Sequence, residues 1–593
     1  MKELEYPFDV SFILKKKRKI KKDLLANSDN FLKKRIAILG GSTTEFIKQS
    51  LDLFLLNNGI EATFYESDYN HFYEDAVFAN PRLDEFKPDL IYVCTSIKNI
   101  TNFPKVTSTK EENLLLVEEQ VTKFKQIWDS LSSKYHVPIV QNNFEKPYFR
   151  LLGNMDNYDH RGYVNFINRI NFAFAENASN RDDLFLVDLD YISSDYGLKK
   201  WSDPFYWHMY KCAVSVEATP FLSFNVANII KAIYGKNKKG FVLDLDNTLW
   251  GGVIGDDGVN GIRIGHEDTE SQAFFDFQNY LKLQKEKGII LTVNSKNDEQ
   301  NAIEGLNHVE GVLRPDDFAV IKANWNSKDQ NFKEIAAELN ILPESLVFVD
   351  DNPAERHIVS SQLDSVSVVE LTDVAHYIEF IDRSGFFETV SLSSDDINRN
   401  EMYKENAQRA KLQGKFNDYG EYLDSLEMKA QIRAFEPMFY SRISQLSNKS
   451  NQFNLTTKRY SQSQIETIAN SSSYLTLYGK LEDRFGDNGV VSVIVGKIEA
   501  HELHIDLWLM SCRVLKRDME KAMFDSLIKE SKALGLTTIY GYYFKTDKNS
   551  MVKDLLSDLG FTKVEEKSNG DKIFVFDNIK DYKNQNHHIS VIH

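Results

Sequence analysis

The stretch GFVLDLDNTLWGGVIGDDG, residues 240–258, carries two carboxylates, Asp244 and Asp246, at the end of an apolar run, with Thr248 just beyond. Phe241, Val242, Leu243 and Leu245 read as a buried strand, and ionisable groups sit there only when a partner or ligand offsets their desolvation. In an open parallel sheet, ligands bind beyond the carboxyl ends of the strands, so the other strand ends matter. IILTV ends in Asn294, Ser295 and Lys296, and LVFV ends in Asp350 and Asp351. Between them, NWNSKDQNFKEIA puts Lys328 at the start of a helix, with Lys322 as the second choice. Four carboxylates on one rim raise one another's pKa unless a cation joins them. Oxygen-only donors suit Mg2+, which keeps several waters and takes one or two carboxylates plus a phosphate oxygen. Asp244, Asp246, Asp350 and Asp351 are the candidate metal ligands. Thr248, Asn294 and Lys322 are placed on the substrate side of the rim. Ser295, Lys328 and free backbone N–H groups would meet an anion above the metal, and the inferred ligand is a phosphoryl group.

These residues need elements to position them. Apolar runs at 35–41, 62–67, 89–96, 137–143 and 184–190 read as buried strands, with long amphipathic stretches such as 111–134 between them. That alternation predicts a parallel, doubly wound sheet. A basic stretch, GKNKKG at 235–240, marks a joint. A second α/β series follows, with strands at 241–246, 289–295, 318–323, 345–351 and 366–371 and helices at 269–287 and 329–340. Residues 391–427 read as a helical linker. From 428 the pattern becomes α+β, with two long antiparallel strands within 490–511. The expected architecture is α/β: two doubly wound parallel-sheet domains, 1–235 and 236–390, then the linker and a C-terminal α+β domain, 428–593.

A chain of 593 residues holds about four units at roughly 150 residues each. Its net charge of −16 argues against a nucleic-acid partner, because phosphate contacts need a basic surface. The basic run KKKRKIKK, residues 15–22, reads as a solvated helix or N-terminal arm ahead of a docking surface for an acidic partner or a membrane. Cys94, Cys212 and Cys512 lie too far apart for a disulfide framework or a Cys-x-x-Cys zinc pattern. A reducing cytoplasm is the expected location. The N-terminus lacks the apolar run of a signal peptide, and no window of about 20 apolar residues predicts a membrane span.

DLDNT, then Ser295, then Lys328, then DDNPAER, in that order, resemble the motifs of the haloacid dehalogenase (HAD) phosphotransferase superfamily. The resemblance implies that Asp244 is the nucleophile and Asp246 the general acid/base. It implies that Ser295 and Lys328 bind the phosphoryl group, and that Asp350, with Asp351 beside it, holds Mg2+. Between Thr248 and Ile289 lie a Gly-rich hairpin and one helix, and between Ser295 and Lys328 about one helix and one strand. Neither insert holds a cap domain, so the site is expected to be uncapped. The blocks LDLDNTLWGGVIGDDG, SKNDE, FVDDNPAER, NKSNQFNLTTKRY, RFGDNGVVSV and SCRVLKRDMEKAM resemble the FkbH-like family, HAD subfamily IIIC. That resemblance implies an SGNH-like N-terminal domain, a HAD domain and a GNAT-like acyltransferase domain. It also implies an activity: removal of phosphate from a phosphoglyceryl unit derived from 1,3-bisphosphoglycerate, and loading of the glyceryl group onto an acyl carrier protein. The implied partners are that carrier and a phosphorylated small-molecule acyl donor.

The chain departs from the family pattern in three places. Asn294 stands where many loading members have a Cys, which leaves Cys512 in SCRV as the candidate thiol; the alternative for Cys512 is a small apolar residue before a helix. In RVLKRDMEKA, Lys516 and Asp518 occupy the glycine places of a turn that resembles the pyrophosphate turn of acetyl-CoA-binding folds, and Asp518 would repel a pyrophosphate. Ser42 sits on a strand–turn–helix corner that resembles the SGNH nucleophile block, but Gly41 replaces its Asp, and Asp203 and His208 have the wrong spacing for the partner pair. A non-catalytic scaffold or docking domain is expected there. Three readings stay open: a loading enzyme, a plain HAD phosphatase, and a scaffold with relic sites.

Overall fold

Strands with apolar residues at successive positions need cover on both faces, and the chain supplies it by alternating them with helices. The computed structural model describes residues 1–26, 28, 31–546 and 548–592. It divides into two compact units, Met1–Tyr234 with Ser461–Gln464, and Gly235–Tyr460 with Ile465–His593.

The first unit is built on β1 (Leu32–Gly40), β2 (Ile60–Glu66), β3 (Leu90–Cys94), β4 (Ile139–Asn142) and β5 (Leu184–Val187). All pairings are parallel, in the order β2-β1-β3-β4-β5. Helices Lys110–Tyr135 and Tyr163–Ser179 pack on one face through Phe124, Trp128, Phe166 and Phe174. The basic run lies on the helix Val10–Leu25, capped by Asp9, which buries Ile13 and Ile20. Lys17 reaches Gln49 and Lys21 pairs with Asp52 at 2.6 Å; it is thus a docked helix, not a free arm.

The second unit holds two sheets. β6 (Gly240–Leu243), β7 (Ile290–Ser295), β8 (Val320–Ala323), β9 (Leu346–Val349) and β10 (Ser367–Val368) form a parallel sheet in the order β10-β9-β6-β7-β8. β6 is central, with Leu243 level with Val293 and Val349. The sheet strands are shorter than expected, because Asp244–Asp246 and Asp350–Asp351 leave the ladder at its carboxyl edge. Between β6 and β7 the described residues form only the short helix Ile254–Asp257 and the helix Thr269–Glu286, with no cap domain. The expected Gly-rich hairpin is instead that short helix, closed by a single bridge between Gly251 and Arg263; Gly252 and Gly258, at φ 93° and 69°, bend the chain too sharply for a two-strand ladder.

The third sheet contains β11 (Lys429–Arg433), β12 (Phe453–Asn454), β13 (Tyr474–Asp483), β14 (Gly486–Glu499), β15 (Glu502–Met510), β16 (Thr538–Tyr543), β17 (Thr562–Glu566), β18 (Lys572–Phe576) and β19 (Ser590–Ile592). Its order is β17-β18-β16-β15-β14-β13-β11-β19, with β12 on the edge of β15. The stretch read as a linker is a clamp between the two sheets. On the helix Arg399–Gln413, Asn400 donates to the carbonyls of Lys285 and Ile289 at 2.9 and 3.2 Å. Farther along, Arg409 forms a bidentate pair with the buried Asp483 at 2.7 and 2.8 Å. Among the described residues no helix is long and apolar enough to cross a membrane.

Candidate active site

Because β6, β7 and β9 are adjacent and in register, their carboxyl ends deliver Asp244, Ser295 and Asp350 to one place. Lys328 enters from the first turn of the helix Lys328–Glu338. It is 1% exposed, and its ammonium lies 2.8 Å from Asp244 Oδ1 and 2.9 Å from Asp350 Oδ2. Those two oxygens accept no other hydrogen bond. Burial alone would lower the Lys328 pKa, but the charges of Asp244 and Asp350 more than offset it, so the group stays cationic. Burial, and then repulsion from Asp244, push Asp350 up to about 6 and raise Asp351 as well.

Asp244, Asp350 and Asp351 each bring a carboxylate oxygen within 4.8 Å of the others. Three carboxylates against one ammonium leave the pocket short of positive charge by two. That deficit, with an all-oxygen donor set, fits a hard divalent cation.

Asp246 does not join this cluster. Its Oδ1 accepts from Trp250 Nε1 at 2.9 Å and Ile254 N at 3.1 Å, and its Oδ2 from Asn297 Nδ2 at 2.8 Å. Its side chain is therefore not placed as a metal ligand, against expectation: the three donors turn it toward the β7 side of the rim. Asn297 also reaches Ser295 Oγ at 3.3 Å, linking the two residues. Trp250 and Asn297 have no role in the sequence reading, although SKN follows β7 directly. Asn297→Ala removes a hydrogen bond to a charged group, worth about 2 kcal/mol, and frees Asp246 to turn. Its expected effect is a fall of roughly tenfold in phosphate release, with a stability loss of about 2 kcal/mol, checked by steady-state kinetics on p-nitrophenyl phosphate and a melting curve.

The three residues placed on the substrate side face elsewhere. Thr248 is fully buried; its hydroxyl accepts from Asp351 N at 3.1 Å and lies 3.4 Å from Asp351 Oδ1, so it orients a carboxylate. Asn294, also fully buried, donates to the carbonyl of Lys328 at 2.9 Å, accepts from Asn331, and its own carbonyl accepts from Lys328 Nζ at 2.8 Å. It holds the lysine rather than a substrate. Lys322 pairs with Glu334 and Glu338 on the outer face of the Lys328 helix, which leaves Lys328 as the lysine of the site. Arg356, another residue without a sequence-derived role, donates to the carbonyls of Asp350 and Asp351 at 2.8 and 2.6 Å and sets that loop.

Cys512 lies apart from these groups. Its carbonyl accepts from Asn340 Nδ2 at 2.8 Å, beyond the far end of the Lys328 helix. Ten residues of helix at 1.5 Å each put that end about 15 Å from Lys328. The thiol packs half-buried against the core of the second sheet, 3.9 Å from the Tyr403 hydroxyl.

The turn before the helix Met519–Ala533 keeps its left-handed form without glycine: Lys516 and Asp518 have φ 63° and 59°. Tyr419 donates to the Lys516 carbonyl, Asp518 pairs with Lys521 at 2.9 Å, and Arg517 is buried against Asp483 at 3.0 Å. The edge of β15 beyond its short pairing with β16 is filled by the chain itself. Leu455 N donates to Trp508 O at 3.0 Å, Phe544 N to Leu455 O at 2.9 Å, and Thr456 Oγ1 to Asp506 O at 2.7 Å. An extended ligand arm laid on that edge would have to displace Asn454 and Leu455. In the first unit, Asp203 caps its own helix at Phe205 N and His208 is exposed, and among the described residues neither hydrogen-bonds to Ser42.

Residues 35–231 match the family model FkbH, N-terminal domain. No curated protein matches the chain. Among solved structures, the chain is similar to the N-terminal part of the protein BF1531 from Bacteroides fragilis, which contains a phosphatase domain and was crystallised with Mg. That match has 28% identity and a TM-score of 0.59, and covers 63% of this chain and 99% of the other. The ribosomal-protein-S18-alanine N-acetyltransferase of Escherichia coli matches at 13% identity and TM-score 0.20, over 25% of this chain and 90% of that one. The PaiA N-acetyltransferase of Thermoplasma acidophilum, in complex with coenzyme A, matches at 18% and 0.19, over 25% and 99%. The chain thus carries an FkbH-type N-terminal domain and a HAD-type phosphatase domain.

Proposed function

We propose that this protein removes the ester phosphate from a phosphorylated three-carbon or similar acyl phosphate at Asp244, and that the acyl group passes to an acyl carrier protein, a thiolate attacking its carbonyl carbon while the acyl phosphate leaves. The single observation that carries the phosphatase part is the buried meeting of Asp244, Asp350 and Asp351 with Lys328. Asp244 attacks phosphorus and the bond to the leaving oxygen breaks, while Asp246 gives that oxygen a proton. Water then attacks the aspartyl-phosphate, Asp246 takes its proton, and phosphate leaves. Lys328 and Ser295 hold the equatorial oxygens. Mg2+ held by Asp244, Asp350 and Asp351 would neutralise charge on the phosphoryl oxygens. The bound Mg of the Bacteroides fragilis relative supports that choice of metal, and a cytoplasmic setting accords with three free cysteines.

The carrier and the phosphoglyceryl donor rest on the FkbH resemblance. A second reading, simple hydrolysis, is favoured by the position of Cys512 beyond the far end of the Lys328 helix. The deciding experiment mixes the protein with 1,3-bisphosphoglycerate, Mg2+ and candidate carrier proteins, and reads phosphate release together with intact mass. A glyceryl adduct that disappears in Cys512→Ala, with Asp244-dependent release of the ester phosphate unchanged, establishes loading through that thiol. Phosphate release with no adduct on enzyme or carrier leaves a hydrolase.

A further inference from the structure

The first sheet carries a crevice of its own. In the order β2-β1-β3-β4-β5 the connections reverse direction between β1 and β3, the place where open α/β sheets bind ligands. Gly41-Ser42-Thr43 follows β1 there, and the turn Ser96–Asn99 follows β3. Asn99 Nδ2 donates to the Gly41 carbonyl at 2.7 Å and to Asn70 Oδ1 at 3.1 Å. A Cβ on Gly41 would lie 2.3 Å from Asn99 Oδ1, so no larger residue fits this corner.

Four observations converge on it. Ser42 is 6% exposed, and among the described residues its hydroxyl has no hydrogen-bond partner, yet it is not among the sealed polar atoms. The helix Glu45–Asn57 starts at Thr44 with no side-chain cap, so its first N–H groups face the corner without a side-chain acceptor and carry the positive end of the helix dipole. Lys98 sits on the β3 turn, and the carbonyl of Lys211 accepts from Thr43 N at 3.0 Å. Both ammoniums lie over the Trp207 ring, 5.3 and 5.5 Å from its centroid. The helix Pro204–Tyr210 that carries Trp207 buries none of its residues, with Phe205, Met209 and Tyr210 exposed by 63, 60 and 54%. Two acids stand on the flanking elements: Glu45, in the first turn of the helix Glu45–Asn57, pairs with Lys48 at 2.5 Å, and Glu145 is buried, accepts from Ile97 N at 3.2 Å, and is pushed up to about 7 by desolvation.

We propose that this crevice binds an organic anion, a phosphate or carboxylate attached to a ring or hydrocarbon body. The anionic group meets the Ser42 hydroxyl, the open start of the helix and the two lysines, and the body lies on Trp207 and its exposed aromatic neighbours. Binding, not catalysis, is the role proposed: among the described residues no base hydrogen-bonds to the Ser42 hydroxyl. The site is independent of the phosphatase reading.

The test titrates the full-length protein in EDTA with phenyl phosphate, benzoate and benzamide, read by tryptophan fluorescence with Trp207→Phe as the blank. Both anions, or phenyl phosphate alone if only phosphate is accepted, are expected to bind at least about tenfold more tightly than neutral benzamide. Ser42→Val and the double variant Lys98→Met/Lys211→Met are each expected to weaken the anion by about tenfold, with Mg2+-dependent release of phosphate from p-nitrophenyl phosphate unchanged. Benzamide binding as tightly as the anions, no binding at all, or anion binding that survives in both variants overturns the proposal.

Discussion

Asp244→Asn is expected to lower Mg2+-dependent phosphate release by on the order of 10³-fold or more, while the protein stays folded. In the proposed mechanism the carboxylate oxygen is the atom that bonds phosphorus, and an amide is no nucleophile at neutral pH. No aspartyl-phosphate can form, so an acid-quenched intact-mass measurement should lose the phosphoryl adduct as well. The fold should tolerate the change. Asp244 lies beyond the end of β6, where only its backbone N–H joins the ladder, donating to Val349 O at 2.9 Å. Removing one of three crowded carboxylates also relieves repulsion, and Lys328 retains Asp350 at 2.9 Å. A melting midpoint at or above that of the parent, with activity gone, separates a chemical role from a structural one. Residual turnover within tenfold of the parent would remove Asp244 as the nucleophile.

Lys328→Met should have two effects. The lysine is 1% exposed and alone balances two buried carboxylates. Removing one partner of a buried ion pair leaves uncompensated charge and costs about 3–5 kcal/mol, a shift in melting midpoint of about 4–7 °C in a unit of this size. Without metal the variant should melt early, and Mg2+ should recover part of the loss by supplying positive charge to the same oxygens. Turnover should stay down by roughly 10² to 10³-fold even with Mg2+ saturating, because the donor aimed at the transferring oxygens is gone. Lys322→Met is the control. Its partners Glu334 and Glu338 are on the surface, 41 and 44% exposed, and such pairs contribute under about 1 kcal/mol. If Lys322→Met proved the more damaging, the assignment of the lysine would be wrong.

Some features of this protein were legible because their signals are local. Apolar runs four to seven residues long, alternating with amphipathic stretches, predicted both parallel sheets. Acidic residues at the ends of two runs, DLD and VDD, marked the rim. The expected strands ran too long at those same ends, because carboxylates that face a pocket leave the hydrogen-bond ladder. The Gly-rich segment after Trp250 was harder to read. Glycines fit a hairpin and a tight helical turn equally, and the choice depended on Asp246 capturing Trp250 Nε1 and Ile254 N. The linker was legible as helix, but its function as a clamp was not, since Asn400 and Arg409 find their partners more than 70 residues away in sequence.

The sequence by itself determined which polar groups stand along the rim and in what order: Asp244, Asp246, Ser295, Lys328, Asp350 and Asp351. Strand periodicity and the direction of a parallel sheet are enough for that. The tertiary structure decided where each side chain is aimed. It brought Lys328 rather than Lys322 into the pocket, turned Asp246 away from the other carboxylates onto Trp250 and Asn297, set Asn294 and Thr248 behind the site as supports, and carried Cys512 beyond the far end of a helix. Each of these depends on a hydrogen bond or ion pair between loops distant in the chain. Residue type and spacing cannot specify such a partner, because several donors compete for each acceptor until packing brings one of them within about 3 Å.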